Sequence, residues 1–463
     1  MAGDVVVPAA RGAGLRRRAA VTASAVVASL VSQRVLLPFL DADALRQSFP
    51  GPALLSILTA GDLRSLSWGA LGLRPFFAGF LLVEVIAVVV PALRPLRNGP
   101  AAERARLTRA AWGASLLIAA VQGWGLAVSL AGLRDTFGEP VLVPSFLPTL
   151  GVAAGAVLGT AALGAAAVLV SRHGVGNGFA LLFAVEALQL VLDTALRASL
   201  VPRGMWTEAG ALLVFAAAVL PVVLAMRPRG GASGPRIPVP TCGLWLLEGP
   251  AAIVSFPARL AAWLPAAAPL AAWMGRALRS DVAYALLAVP LTGALAFAFS
   301  RLFTPPAGVV RAHEAAAPEL LDQGGIDSVR RALRSAEARS LALAVGVAAL
   351  PEVASGLGVP VALHVGTLLA VFIVAAVIRD LRAEAAARAG GSALASVWPV
   401  HRVYAVDPVL QALSRAGIPA HARGLHYRTL FHAFAAYAPI EILVPAERAA
   451  DAEVVCRPMV GAG

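Results

Sequence analysis

The chain contains no lysine, all 38 of its basic residues being arginine, and only two of its 463 residues, Cys242 and Cys456, are cysteine. Two isolated thiols support neither a disulfide framework nor a thiolate metal cage. Charged residues make up 14% of the chain and aromatic residues 6%, where an ordinary soluble domain carries roughly 25% charge. Catalytic signatures are missing as well: there is no H-E-x-x-H helix, no G-x-S-x-G elbow and no P-loop glycine spacing. The chain therefore reads as a non-enzyme with no call for a cofactor.

What is abundant is hydrocarbon: hydrophobic residues reach 59% and the mean hydropathy is +0.78. A bilayer core about 30 Å thick asks a helix for about 20 apolar residues. Ten stretches qualify, at 18–37, 68–93, 108–133, 143–170, 178–200, 206–225, 242–264, 282–303, 340–357 and 361–381. The expected fold class is an all-α polytopic membrane protein. The opening "RRRAAVTASAVVASLV" has the charged and apolar regions of a secretory leader, but no small-residue cleavage site follows, so it reads as a retained first span.

The arginines cluster in alternate connections: Arg16, Arg17 and Arg18; Arg94, Arg97, Arg104, Arg106 and Arg109; Arg172; Arg227, Arg229 and Arg236; and Arg311, Arg330, Arg331 and Arg334. By the positive-inside rule these connections and both termini face the cytoplasm. The net charge of +12 is spread over short membrane-flanking loops without interleaved aromatics, which suits anionic lipids rather than direct nucleic-acid binding.

Between the first two long spans, "FLDADALRQSFPGPALLSILTAGDLRSLSWGALGLRPFF" carries a short apolar piece, Leu54, Leu55, Ile57 and Leu58 at its centre, too short to cross. Such a piece fits a re-entrant or interfacial helix. Its neighbours Asp62, Arg64 and Arg74 would be costly against lipid, which calls for a water-filled cavity open to the outside. Glu84, Glu186 and Asp193 read either as a proton relay or as groups facing a wet funnel.

After about residue 385 the apolar runs shorten. "HRVYAV" reads as a strand, and "DPVLQALSRAG" as a helix with Asp407 at the N-cap, Pro408 first in the helix and Gly417 past its end. "IPAHARGLHY" and "PIEILVP" read as strands around a second helix, and "AERAADAEVV" as a last helix, giving a small α/β unit. His401, His421, His426 and His432 read either as metal ligands or as ordinary surface and core residues, the second being the commoner case.

Several motifs, in order, resemble one family. "HGVGNGFALLF" is similar to the opening of the fifth span of SecY, the protein-conducting channel of the Sec translocon. "GALGLRPFFAGFLLVEVIAVVVPALRPLRNG" resembles the SecY segment after the plug, and "LTRAAWGASLLIAAVQGWG" its third span. "CGLWLLEGPAAIVSFPARLAAW" resembles the seventh and "GTLLAVFIVAAVIRDL" the tenth. The resemblance spans residues 15–390. The segment 391–463 resembles small ferredoxin-like signal-transducing domains, mainly through "DPxxxxxLxxAGIP", and 1–14 is a cytoplasmic tail.

The resemblance implies two five-helix halves around an hourglass pore, with a plug over 53–66. It implies a constriction made by Leu73, Phe77, Phe179, Phe183, Glu248 and Val371, with Ile373 an alternative to the last. Three phenylalanines would make a stiff apolar gasket; Glu248 would be protonated there or paired with Arg74. Implied partners are SecE-like and SecG-like subunits, an unfolded polypeptide, and cytoplasmic factors contacting Arg227, Arg229, Arg236, Arg330, Arg331 and Arg334. The loop "RPRGGASGPRIPVP" is too short for the SecY hairpin that docks SecA or the ribosome. The expected function is a polypeptide channel in the bacterial cytoplasmic membrane. A SecY-derived receptor or scaffold signalling through the tail, and an ion-coupled carrier, are the alternatives.

Overall fold

A computed structural model describes residues 15–40, 66–93, 101–132, 140–200, 235–250, 265–278, 281–316, 325–356, 365–389, 393–434 and 439–459, with a few isolated residues between them. The chain divides into two units, one of residues 1–200 with 433–439, the other of 201–432 with 440–463.

The first unit is built from α1 (Leu15–Ser32), α2 (Arg74–Val89), α3 (Ala101–Ala131), α4 (Phe146–His173) and α5 (Gly178–Leu200). Pro75 lies in the first turn of α2, where its missing N–H has no intrahelical partner to lose. The chain leaving α1 pairs with the chain entering α2: Leu36 bridges Ser67, the Leu37 N–H donates to Leu66 O at 2.9 Å, and the Trp68 N–H to Val35 O at 3.0 Å. Glycines on α4 admit this pair closely, since a Cβ on Gly159 would collide with the Trp68 carbonyl and one on Gly155 would meet Leu37 at 2.9 Å. The residues flanking 41–65, Leu37 on one side and Trp68 on the other, thus both lie against α4. The plug expected within that stretch, Leu54, Leu55, Ile57 and Leu58, lies outside the described residues, as do Asp62 and Arg64.

In the second unit, α6 (Ala268–Ala277), α7 (Asp281–Phe303), α8 (Pro306–Ala316), α9 (Ile326–Gly356) and α10 (Val365–Ala389) precede a small sheet. Before the expected seventh span, Thr241 ties three segments together. Its N–H donates to Ser340 Oγ at 2.9 Å, its hydroxyl lies 2.8 Å from Ser300 Oγ, and its carbonyl accepts from Thr304 Oγ1 at 3.0 Å. All four residues are buried, and mutual pairing spares their polar groups the cost of burial without a partner. The chain then enters a 3-10 turn, Trp245–Glu248.

The C-terminal sheet is antiparallel with order β1–β3–β2, for β1 (Leu394–Val400), β2 (His421–Arg423) and β3 (Ile440–Pro445). It is accompanied by α11 (Val406–Arg415), α12 (Leu425–Leu430) and α13 (Ala449–Cys456). Val397, Val400, Ile442 and Val444 from the sheet, with Val409 and Leu413 from α11, share one core with Val309 and Ala312 of α8 and Val329 and Leu333 of α9.

Two readings of the tail need correction. "HRVYAV" is not a strand: Val403–Ala405 is a 3-10 turn and Val406 opens α11. Val403, Tyr404, Ala405 and Val406 are all buried, which the alternating faces of a half-buried strand do not permit. Asp407 sits inside the first turn rather than at the N-cap, which is Ala405. Its carboxylate accepts instead from the Arg236 N–H at 2.9 Å and from Gln411 Nε2 at 2.7 Å. Gly417 does follow the helix at φ +67°, and the Ile418 N–H returns to Leu413 O at 2.9 Å, the glycine-terminated stop that a left-handed residue allows.

Candidate functional site

The glycine turn between α4 and α5 is fixed on three sides. The Val175 N–H donates to Thr22 Oγ1 at 2.9 Å, Arg18 Nε donates to Gly174 O at 2.9 Å, and the Gly178 N–H donates to Ser171 Oγ at 2.9 Å. Asn177 caps α5, its Oδ1 accepting from the Ala180 N–H at 3.1 Å. Gly178 is required by proximity, because a Cβ there would run into the Ala167 carbonyl of α4. The turn thus sets where the first residues of α5 stand, and Phe179 and Phe183 share one face of that helix by their i, i+4 spacing.

Opposite them stand the phenylalanines of α2. Phe77 and Phe183 meet edge to face with ring centroids 4.1 Å apart, and Phe76 meets Phe179 at 5.8 Å and Trp112 at 4.7 Å, both edge to face. Leu73, just before α2, is fully buried beside them in sequence. A further ring joins from 433–439: Phe434 lies 4.1 Å from Phe77, stacks on Phe80 at 5.4 Å and 15°, and stands 5.9 Å from Phe179. Edge-to-face and offset aromatic pairs contribute about 0.5–1.5 kcal/mol each beyond the area they bury.

Of the six residues expected to form a constriction, the structure brings Phe77, Phe179 and Phe183 into one cluster, and Leu73 is buried just before α2. Glu248 and Val371 belong to the second unit, Glu248 ending the 3-10 turn and Val371 half-buried on α10 beside the buried Phe372 and Ile373. Arg74 is exposed. Glu186 packs against the turn before α2, both carboxylate oxygens 2.9 Å from where a Cβ on Gly72 would sit, and Glu84 is buried. Among the arginines expected to meet partners, Arg236, Arg330, Arg331 and Arg334 are exposed, Arg330 lying 3.7 Å from Asp327; Arg227 and Arg229 lie outside the described residues. Sequence reasoning missed Phe76, Phe80, Trp112 and above all Phe434, whose signal is the uncharged aromatic run "LFHAFAAYAP" in an otherwise charged tail.

Of the four tail histidines, His432 is the most deeply packed. Among the described residues no group of three or more His, Cys, Asp or Glu side chains could hold a metal ion. His432 is buried, donates from Nε2 to Pro240 O at 3.0 Å and lies over Phe303 at 5.7 Å. Burial pushes its pKa down to about 3, and burial with the nearby Arg379 pushes that of His426 down to about 4. Both are therefore neutral in the folded protein at pH values where an unfolded histidine, near 6.5, takes up a proton. Stability contributed by these groups is fully present above pH 6.5 and is lost as pH falls toward 4 and then 3, by up to roughly 1.4 kcal/mol per pH unit for each group. The thermal midpoint of the protein should fall across this window, and His432→Phe should flatten part of the slope; an identical slope in the variant would count against the assignment.

Helices clad in exposed apolar side chains define an integral membrane protein rather than a water-soluble one. Among the described residues, three helices are long and apolar enough to cross a membrane: Arg104–Ala131, Phe146–His173 and Val282–Ala316. Two solved structures share the fold: one of a protein-conducting channel, with a TM-score of 0.50, 14% identity, and coverage of 81% of this chain and 94% of that one; and one on the plug domain of SecY, with a TM-score of 0.51 and the same identity and coverage.

In sequence, the protein translocase subunit SecY of Synechocystis sp. is 25% identical over 189 residues, 40% of this chain and 41% of the relative. That of Vibrio cholerae is 27% identical over 153 residues, 32% and 34% of the two chains, and that of Rickettsia bellii 24% over 129 residues, 28% and 30%. The matched stretches span about a third to two fifths of these relatives' own lengths. No family model matches. In sequence this chain is thus similar to SecY proteins over part of its length, and it shares the fold of protein-conducting channels.

Proposed function

We propose that the chain is the channel subunit of a SecY-type translocase, giving unfolded polypeptide a path across or into the bacterial cytoplasmic membrane. The observation that carries this reading is the phenylalanine cluster: Phe77, Phe179 and Phe183, set at the family's motif positions on α2 and α5, meet in one buried group. Such a group excludes water and ions while flexible side chains can still yield to an extended chain. Ten spans in two five-helix halves, the arginine-rich connections facing the cytoplasm, and a ferredoxin-like 391–463 complete the proposal. The sheet order β1–β3–β2 supports that last element. SecE-like and SecG-like subunits are the proposed membrane partners, with anionic lipids around the arginines. The short connection between the sixth and seventh spans argues against SecA or ribosome docking through that loop.

In proteoliposomes the wild type should be tight to ions, and Phe77→Ala with Phe179→Ala should raise the leak at least tenfold. A pair variant that is folded and as tight as the wild type would sink the channel reading. The receptor reading draws on the core that the tail shares with α8 and α9. It predicts that deleting 391–463 abolishes the cellular phenotype while the phenylalanine variants leave it intact.

A further inference from the structure

The helix α6, Ala268–Ala277, buries none of its side chains. Its larger apolar residues nevertheless fall on one stripe: Leu270, Trp273, Met274 and Ala277 stand at i, i+3, i+4 and i+7 and so share a face. On that face Leu270 is 50% and Trp273 60% exposed. The helix carries a single charge, Arg276, which lies off the stripe. Its ten residues rise about 15 Å, half of what a crossing helix needs, so α6 does not span. Its distance from the membrane is constrained all the same. Three residues separate Ala277 from Asp281, the first residue of α7, and such a link reaches at most ~14 Å. The spanning segment Val282–Ala316 begins there, and its first turns expose Val282 and Leu286, the latter at 73%. Lipid covers the apolar face of a crossing helix, so α6 is tethered close to where the bilayer begins.

We propose that α6 is an interfacial anchor, lying along the membrane surface on the side where α7 begins, with its Leu270, Trp273, Met274 and Ala277 stripe sunk into the boundary between headgroups and acyl chains. Tryptophan suits that boundary because its ring is apolar while its indole N–H seeks water or a headgroup. Helices that lie in the membrane plane seat Trp and Leu in this way. Arg276 is exposed, and a side chain of its length reaches a lipid phosphate while its stem stays over apolar surface. The partner is the bilayer itself. The anchor fixes how deeply α7 sits, whether or not polypeptide passes through the protein.

The test uses the full chain in phosphatidylcholine proteoliposomes. Native Cys242 and Cys456 are buried, so the unsubstituted chain supplies the labelling background. Leu270→Cys on the stripe and Ala272→Cys on the opposite, exposed side each carry an environment-sensitive fluorophore. Lipids bearing a nitroxide near the headgroup should quench the label at 270 at least threefold more than the label at 272, and aqueous iodide should show the reverse order. Equal quenching at the two positions, or iodide reaching 270 as readily as 272, overturns the anchor. So does a label at 270 shielded from both quenchers, which would mean that another protein surface, a second copy or a membrane subunit, covers the stripe. A further pair isolates the aromatic: with the label at 270, Trp273→Asp should raise iodide quenching at least twofold, while Trp273→Tyr leaves it unchanged. Iodide quenching indifferent to Trp273→Asp would show that the ring holds nothing in the interface and overturn the proposal.

Discussion

Gly178→Ala is expected to lose several kcal/mol of stability and most of the monodisperse protein recoverable in mild detergent. The added methyl group would collide with the Ala167 carbonyl, a backbone atom within α4 that cannot rotate aside. Overpacking against mobile side chains costs typically 1–3 kcal/mol; here the start of α5 has to shift. That shift would also strain the Gly178 N–H bond to Ser171 Oγ and displace Phe179, one residue on. The control is Gly113→Ala on α3, where the new Cβ meets nothing within 4 Å. It should be neutral or raise stability by up to about 1 kcal/mol, the helix-propensity difference between alanine and glycine. Thermal midpoints by fluorescence-detected size exclusion distinguish the two; equal midpoints would mean that α4 and α5 do not approach at Gly178.

Glu384→Ala, near the end of α10 where it meets the tail, should cost about 2–4 kcal/mol. The Glu384 carboxylate, 5% exposed, accepts from Arg388 at 2.7 Å and pairs with Arg423 at 3.4 Å; Arg423, 13% exposed, also reaches Glu441 at 3.0 Å. The Arg388 side chain is 41% exposed, so its share is screened by solvent and small. Removing the carboxylate leaves the Arg423 guanidinium desolvated with Glu441 as its remaining carboxylate neighbour in this network, and breaking a buried pair costs about 3–5 kcal/mol. Glu384→Ala combined with Arg423→Ala should be less harmful than the sum of the two, by about 1–3 kcal/mol. The readout is limited proteolysis of 391–463 together with the thermal midpoint. Strict additivity would show that α10 and β2 are not coupled through this pair.

The helices of the first unit were legible because a bilayer leaves little choice: apolar runs of this length have no other use, and α5 begins and ends where its sequence predicts. The glycine turn was legible too, since its spacing carries the family motif. The partners of that turn were not. Thr22 and Arg18 are distant in sequence, and nothing local marks them as its anchors. Phe434 escaped for the same reason, a ring whose neighbours lie hundreds of positions upstream. The tail misled because valine and tyrosine in "HRVYAV" favour strands in isolation, whereas burial on every side imposed a 3-10 turn leading into a helix; tertiary packing overrides propensity at such places. The core shared by α8, α9 and the tail is likewise a long-range product, invisible to a reading that divides the chain by composition.

The joint around Thr241 carries a consequence for behaviour in an energised cell. Thr241, Ser300, Thr304 and Ser340 join their segments by hydroxyl and backbone hydrogen bonds, and none of the four side chains bears a charge. A transmembrane potential does work of about 2.3 kcal/mol on each elementary charge moved across 100 mV, and on this joint there is no elementary charge to move. A membrane potential therefore does no such work on these four side chains, and the mooring of the chain that enters the turn Trp245–Glu248 is not itself voltage-sensing.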